Sequence, residues 1–147
     1  MRRKALLDTN ILLDAIMSER PDWEHATMLL DEIAYGELDG VIAATSLKDA
    51  YFVLTKYAGE APARGFVNAA LDAFEVVEVS DSICRIAARS NEPGFEDGII
   101  RACAEQANVD FIISRDEKAF LKSRIKRLSA RDYVELFCEV AEIDLQA

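Results

Sequence analysis

Residues 4–16 read KALLDTNILLDAI, an apolar run that is interrupted by three polar residues and then resumes. Residues 4–7 have the length and composition of a short buried strand, whereas the apolar residues after Asn10 recur at helical spacing. Asp8 lies at the junction, where a side-chain oxygen can cap the first turn of a helix. This stretch therefore predicts a strand that passes directly into a helix, with a carboxylate at the turn.

The same alternation continues along the chain. Further strands are predicted at 40–44, 76–79, 110–114 and around 127–128, and helices at 21–36, 46–59, 62–74, 82–90, 95–107, 117–121 and 130–140. Alternating strands and helices favour parallel pairing, with helices covering both faces of the sheet. We therefore expect an α/β protein with three α/β/α layers and a central parallel sheet of four to five strands. Residues 1–147 are expected to form a single domain, because 147 residues with 51% hydrophobic content suit one core.

Composition excludes several classes of protein. No apolar run approaches the roughly 20 residues that span a bilayer, and the apolar start is too short for a secretory signal. We therefore expect a cytoplasmic protein that does not contact a membrane. The three cysteines lack any Cys-x-x-Cys spacing, which argues against a disulfide framework and a zinc site. The net charge of -10 argues against non-specific binding to nucleic acid. Residues 115–131 nevertheless carry seven basic side chains and two acidic ones, either as a basic shelf or as an ordinary solvated segment.

Four aspartates are the candidate functional residues. Asp8 and Asp116 follow predicted strands directly, whereas Asp49 and Asp97 fall in early turns of predicted helices. A parallel sheet places all these positions at the carboxyl edge of its strands, and converging carboxylates suit a divalent cation such as Mg²⁺. Asp8 and Asp116 also have a purely structural explanation as helix caps, and Asp97 as a partner of the helix dipole. Asp49 lies inside its helix without a basic partner at i±3 or i±4, so it is either tolerated at a helix flank or kept for a cation. The only histidine, His25, lies far from the four acids in sequence, so a Ser-His-Asp or Cys-His arrangement is not expected.

Three motifs in this order resemble PIN-domain ribonucleases, in particular the small VapC-type toxins of toxin–antitoxin pairs. They are LLDTNILL at residues 6–13, FED at 95–97 and FIISRD at 111–116. The resemblance implies an endonuclease that cuts RNA with water and needs Mg²⁺ or Mn²⁺. It also implies a homodimer and a small antitoxin protein as partner.

The resemblance assigns a role to each matching residue. The catalytic acids are Asp8, Asp49, Asp97 and Asp116, of which Asp8, Asp97 and Asp116 are the metal ligands. The residues that support these acids are Thr9, Asn10, Glu96 and Ser114. Candidate contacts to the RNA backbone are Arg115, Lys118 and Lys122. This chain departs from many family members, which carry Glu where it has Asp49 and Thr where it has Ser114.

Two other functions stay open on the sequence. The chain could be a catalytically silent scaffold that keeps the fold and uses the pocket to bind a partner. A phosphoryl-transfer domain of the response-receiver kind is also an α/β fold with an acidic pocket. That design generally has an acidic pair after the first strand and a lysine after a late strand. Neither Asp8-Thr9-Asn10 nor Ser114-Arg115-Asp116 provides them.

Overall fold

A computed structural model describes residues 2–138 and contains one central sheet of parallel strands. The strands are β1 (Arg3–Leu7), β2 (Leu38–Ala43), β3 (Glu75–Val77), β4 (Phe111–Ile113) and β5 (Lys126–Leu128). Their order across the sheet is β3-β2-β1-β4-β5, and each neighbouring pair is parallel. The prediction of a parallel α/β sheet is therefore confirmed, with five strands.

Helices cover both faces of the sheet. They are α1 (Thr9–Ile16), α2 (Trp23–Ala34), α3 (Ala44–Ala58), α4 (Glu60–Ala73), α5 (Asp81–Ala88), α6 (Phe95–Ala107) and α7 (Ala130–Phe137). Alternation along β1 explains the three layers, because successive strand side chains point to opposite faces. Ala5 and Leu7 pack with α1, α2 and α7, whereas Leu6 packs with α5 and α6. Ala5, Leu6 and Leu7 are therefore completely buried, although they point to opposite faces of the sheet.

The helix predicted at 117–121 does not form. Residues 115–125 make a series of turns, in which Phe120 has a left-handed φ of 67° that breaks any helix. The side chain of Asp116 accepts a hydrogen bond from the N–H of Lys118, so it stabilises a turn instead of capping a helix. The last helix begins at Ala130 as predicted and ends at Phe137, and the predicted residues 139–140 lie outside the described range.

The strand order brings the ends of β1 and β4 together at the centre of the sheet. The N–H of Asp8 donates to the carbonyl of Ile113 at 3.0 Å, which extends the ladder one residue past the end of β1. The chain leaves β1 toward β2 on one side and reaches β4 on the other, so the strand order reverses here. Ligands of open α/β sheets bind at such a reversal, beyond the carboxyl ends of the strands. Within residues 2–138, no helix is both long and apolar enough to cross a membrane.

Candidate active site

Asp8 is held at the carboxyl end of β1 by hydrogen bonds to both of its carboxylate oxygens. It is the N-cap of α1, and its Oδ1 accepts from the N–H of Thr9 at 2.8 Å. Its Oδ2 accepts from the hydroxyl of Ser114, which follows β4, at 2.9 Å. Two neighbouring strands therefore fix the orientation of one carboxylate.

Ser114 connects this carboxylate to Asp116. The hydroxyl oxygen of Ser114 accepts from the N–H of Asp116 at 3.1 Å while its hydrogen goes to Asp8. Ser114 is buried, and its own N–H donates to the carbonyl of Leu128 at 3.0 Å, so the β4–β5 pairing fixes its position. Thr9 makes a similar link on the other side, because its hydroxyl donates to Ser46 in the first turn of α3.

Asp97 lies in the first turn of α6, next to the exposed Glu96. Close packing of α6 against α5 sets this position. A Cβ on Gly98 would lie 2.8 Å from the carbonyl oxygen of Ala87 and 2.8 Å from the Oγ of Ser90. Only glycine allows the two helices to approach this closely. Gly98 therefore permits the close helix packing that sets the distance between the Asp97 carboxylate and the sheet.

Asp49 projects from α3 and is paired with its neighbour Lys48 at 3.4 Å. The lysine side chain is 81% exposed, so this ion pair is weak and readily exchanged for another contact. Both residues face the same cleft as the other acids.

The cleft that these residues surround has a volume of about 700 Å³ and opens at the carboxyl edge of the sheet. All four candidate catalytic acids and the four supporting residues lie on its wall. Its lining includes Asp8, Thr9, Asn10, Ser46, Lys48, Asp49, Phe95, Glu96, Asp97, Ser114, Arg115 and Asp116. Five carboxylates therefore face two basic side chains, which gives the cleft an excess of negative charge.

The acids repel one another through this cleft. Burial raises the pKa of Asp8 most, and the charges of Asp116 and Glu96 raise it further, against the lowering effect of the Ser114 and Thr9 hydrogen bonds. Burial also raises the pKa of Asp97, and the charges of Asp116, Asp8 and Glu92 add to it. Carboxylates whose charges raise the pKa of a neighbour share one electrostatic environment. A cation in the cleft would relieve that repulsion.

The donor set fits a hard divalent cation. Among residues 2–138, no group of three or more His, Cys, Asp or Glu side chains is already arranged to hold a metal ion. Mg²⁺, however, usually binds through one or two carboxylates and keeps several waters. Asp8, Asp97 and Asp116 offer only oxygen donors, and neighbouring negative charges raise the pKa of Asp8 and of Asp97. These side chains are therefore suited to Mg²⁺ or Mn²⁺ rather than to a soft metal.

The predicted basic shelf is only partly present. Arg115 lies on the cleft wall, but Lys118 and Lys122 are exposed on the adjoining turns and do not line the cleft. Other cations of the segment are used within the protein. Arg127 donates to the carbonyl of Ser114 at 2.7 Å, and Arg124 donates to Asn108 and Glu105.

Lys48 and Phe95 line the cleft and were not among the residues predicted from the sequence. Lys48 could have been noticed because a cation beside Asp49 on a helix is well placed to share its environment. Phe95 is 52% exposed at the start of α6, directly before two acids. The sequence signal that could have been found is a phenylalanine directly before two acids at the start of a predicted helix.

Comparison with known proteins points to one family. The family profile described as PIN domain matches residues 4–118. No curated protein sequence gives a significant match.

Solved structures share the fold at low sequence identity. A toxin–antitoxin complex from Klebsiella pneumoniae has 24% identity and a TM-score of 0.65, over 86% of this chain and 97% of that one. VapBC2 from Rickettsia felis, bound to a promoter DNA fragment, has 16% identity and a TM-score of 0.62, over 86% and 98%. VapC20 from Mycobacterium tuberculosis, a sarcin-ricin loop cleaving toxin, has 16% identity and a TM-score of 0.62, over 77% and 90%. At these identities the likeness establishes the fold.

Proposed function

This chain belongs to the PIN domain family, and we propose on that basis that it is a metal-dependent endoribonuclease and the toxin of a toxin–antitoxin pair. The observation that carries the proposal is the cluster of acids at the reversal of strand order. Asp8 and Asp97 come from separate elements. Burial raises the pKa of each carboxyl, and the negative charge of Asp116 raises both pKa values further. A fold keeps such an unfavourable arrangement where a cation or a reaction uses it.

In this proposal Asp8, Asp97 and Asp116 hold Mg²⁺ or Mn²⁺. When bound, the cation supplies positive charge that stabilises the negative charge developing on the phosphate as the bond to the leaving oxygen breaks. Ser114 and the N–H of Thr9 fix the two oxygens of Asp8, so that carboxylate needs no reorganisation when the substrate arrives.

Three further polar residues of the cleft can bind or orient water molecules. Asp49 stands across the cleft on α3 and is 39% exposed, so it can reach the cation through water or accept a proton from an attacking water molecule. The exposed Asn10 and Glu96 stand at the starts of α1 and α6 and can orient water through their side-chain oxygens.

The RNA backbone is held by the cations on and beside the cleft wall. Arg115 and Lys48 line the cleft, and the exposed Lys118 and Lys122 extend the positive surface outward. Phosphate contacts of this kind position a substrate without reading its sequence. The acidic remainder of the protein weakens binding to nucleic acid that does not enter the cleft.

A small antitoxin is the proposed protein partner, and the active form is proposed to be a homodimer. The Klebsiella pneumoniae structure that this chain resembles is a toxin–antitoxin complex. The excess of carboxylates in the cleft also favours a partner that inserts a basic side chain there, since such a group would neutralise the acids in place of the metal.

Cleavage of a labelled mixed-sequence RNA tests the function. The wild type is compared with Asp97→Asn and with Asp72→Asn, in Mg²⁺, in Mn²⁺ and in EDTA. Asp72 is an exposed aspartate on α4 that does not line the cleft, so Asp72→Asn matches the change in charge. We expect the wild type and Asp72→Asn to cut RNA only with metal. Asp97→Asn is expected to lose at least about 100-fold in rate. No cutting by the wild type with either metal would instead indicate a silent binding module.

A further inference from the structure

Asp14 is a completely buried carboxylate in α1, and it lies outside the cleft lining. A buried charge is costly unless it is paired. Its Oδ1 accepts a hydrogen bond from Nη1 of Arg20 at 3.2 Å. Its Oδ2 lies 3.4 Å from Nε of Arg115, yet it receives no hydrogen bond within the part of the chain that the structure describes. Two arginines from different loops therefore converge on one buried carboxylate.

Arg115 connects this carboxylate to the cleft. Its Nε lies 3.4 Å from Oδ2 of Asp14 in an ion pair, while the side chain stands on the cleft wall with Asp8 and Asp116 and is 40% exposed. Among residues 2–138, the ion pair with Asp14 is the one polar contact of the Arg115 side chain. The terminal amino groups of the guanidinium are therefore available to a ligand.

A guanidinium held in place by an ion pair suits a phosphate. Its planar group can donate two parallel hydrogen bonds to phosphate oxygens, which a lysine cannot do. A free arginine side chain loses much conformational freedom when it binds, and a prior contact to a buried partner reduces that loss. Lys48 also lines the cleft, but its side chain is 81% exposed and, among residues 2–138, its one ion-pair partner is the partly exposed Asp49. Arg115 is thus the cation whose position the fold determines.

We propose that Asp14 is a positioning residue that holds Arg115 against the cleft wall, where the guanidinium binds a phosphate of the RNA substrate. This inference rests on the proposed ribonuclease function and names the group that places the substrate backbone over the acids. Arg20 completes the charge balance of Asp14 but lies away from the cleft lining. It therefore supplies a matched control, because Arg20→Gln disturbs the same carboxylate without changing Arg115.

A double-mutant cycle on RNA cleavage is the first half of the test. The value of kcat/KM is measured for the wild type, Asp14→Asn, Arg115→Gln, the double variant and Arg20→Gln, each checked for folding by its Tm. We expect Arg115→Gln to lose about 10- to 100-fold and Asp14→Asn about tenfold. The double variant should lose no more than Arg115→Gln alone, because Asp14 acts through Arg115. Arg20→Gln should lose less than about threefold.

A measurement without RNA is the second half. Nitrogen-15 relaxation of the Arg115 Nε–H group reports how firmly the guanidinium is held. Arg85 serves as internal reference, since it is paired with Asp81 on α5 and does not line the cleft. We expect an ordered Arg115 Nε–H in the wild type and in Arg20→Gln, and a mobile one in Asp14→Asn. The Arg85 signal should be unchanged in all three.

The outcomes separate the positioning role from the function itself. Losses that multiply in the double variant, or an Arg20→Gln defect equal to that of Asp14→Asn, would overturn the positioning role. So would an Arg115 Nε–H that stays ordered in Asp14→Asn. If the wild type cuts no RNA, the phosphate-binding role fails together with the ribonuclease function, and relaxation then reports only whether Asp14 holds Arg115.

Discussion

Replacing Gly98 with alanine tests the packing that places Asp97 in the cleft. The added Cβ would stand 2.8 Å from the carbonyl oxygen of Ala87, 2.8 Å from Oγ of Ser90 and 2.9 Å from Cα of Ala87. Two of these three atoms belong to the backbone of Ala87 in the last turn of α5, so rotating one side chain does not relieve the clash. The two helices must separate, and the first turn of α6 moves with them.

The cost can be worked from two opposing terms. Overpacking of this kind costs about 3 kcal/mol when backbone must shift. Alanine is favoured over glycine inside a helix by about 1 kcal/mol. The net loss is then about 2 kcal/mol of unfolding free energy, which for a chain of this size lowers Tm by about 6 °C. Since a displacement of about 1 Å at a reacting group can cost about 100-fold in rate, RNA cleavage should fall by more than the stability loss explains.

Gly65→Ala is the matched control. Gly65 is an exposed glycine inside α4, and a Cβ there would meet nothing within 4 Å. Gly65→Ala should gain only the preference for alanine over glycine inside a helix, which is about 1 kcal/mol of unfolding free energy. Its Tm should rise by about 3 °C, and its rate of RNA cleavage should be unchanged. Calorimetry gives the Tm of both variants, and their rates of RNA cleavage are measured under the same conditions. If Gly98→Ala stabilises the protein as Gly65→Ala does, the close α5–α6 contact does not position Asp97 and the reasoning is refuted.

Three further changes have defined outcomes. In EDTA, Asp97→Asn should raise Tm by about 1 to 3 °C, because it removes a repelled charge, and Mg²⁺ should then stabilise it less than the wild type. Burial and like charges raise the pKa of Asp8 and Asp97, so the folded state binds their protons more tightly than the unfolded state. The metal-free unfolding free energy, measured in urea, should therefore fall more from about pH 4 to about pH 7 in the wild type than in Asp8→Asn/Asp97→Asn. Glu92→Ala should cost about 3 kcal/mol, because its buried carboxylate accepts from the Phe120 N–H and pairs with Arg101.

Each of these has a contrary result. An unchanged or lower Tm for Asp97→Asn in EDTA would mean that the charges do not repel one another appreciably. Parallel pH profiles for the wild type and the double variant would remove the raised pKa values as a source of instability. A loss below about 1 kcal/mol for Glu92→Ala would show that the turns after β4 are held by other contacts.

The alternation of strands and helices could be predicted because apolar residues are spaced differently in strands and in helices. Buried strands such as β1 are short apolar runs, and α1 follows with apolar residues at helical spacing. The junction residue Asp8 was identifiable for the same reason, since a carboxylate between two such patterns caps the helix. Parallel pairing then placed the four aspartates at one edge, which is where the structure has them.

The features that were missed depend on contacts between distant residues. A helix at 117–121 agreed with local composition, but Phe120 takes a left-handed conformation while its N–H donates to Glu92, 28 residues earlier. Asp14 is preceded by three apolar residues in α1, and its partner Arg115 lies about a hundred residues away. Its one local signal is a charge on an otherwise apolar helix.

The cleavage rate of RNA as a function of Mg²⁺ concentration, under single-turnover conditions, tests the central claim most directly. Wild type and Asp8→Asn are compared, with Asp72→Asn as the charge-matched control. We predict that the rate rises with Mg²⁺ to saturation in the wild type and in Asp72→Asn. Asp8→Asn should stay at least about 100-fold slower at every concentration. Cleavage that is equal in all three proteins, or that persists in EDTA, would contradict the assignment of the acidic cleft as the nuclease site.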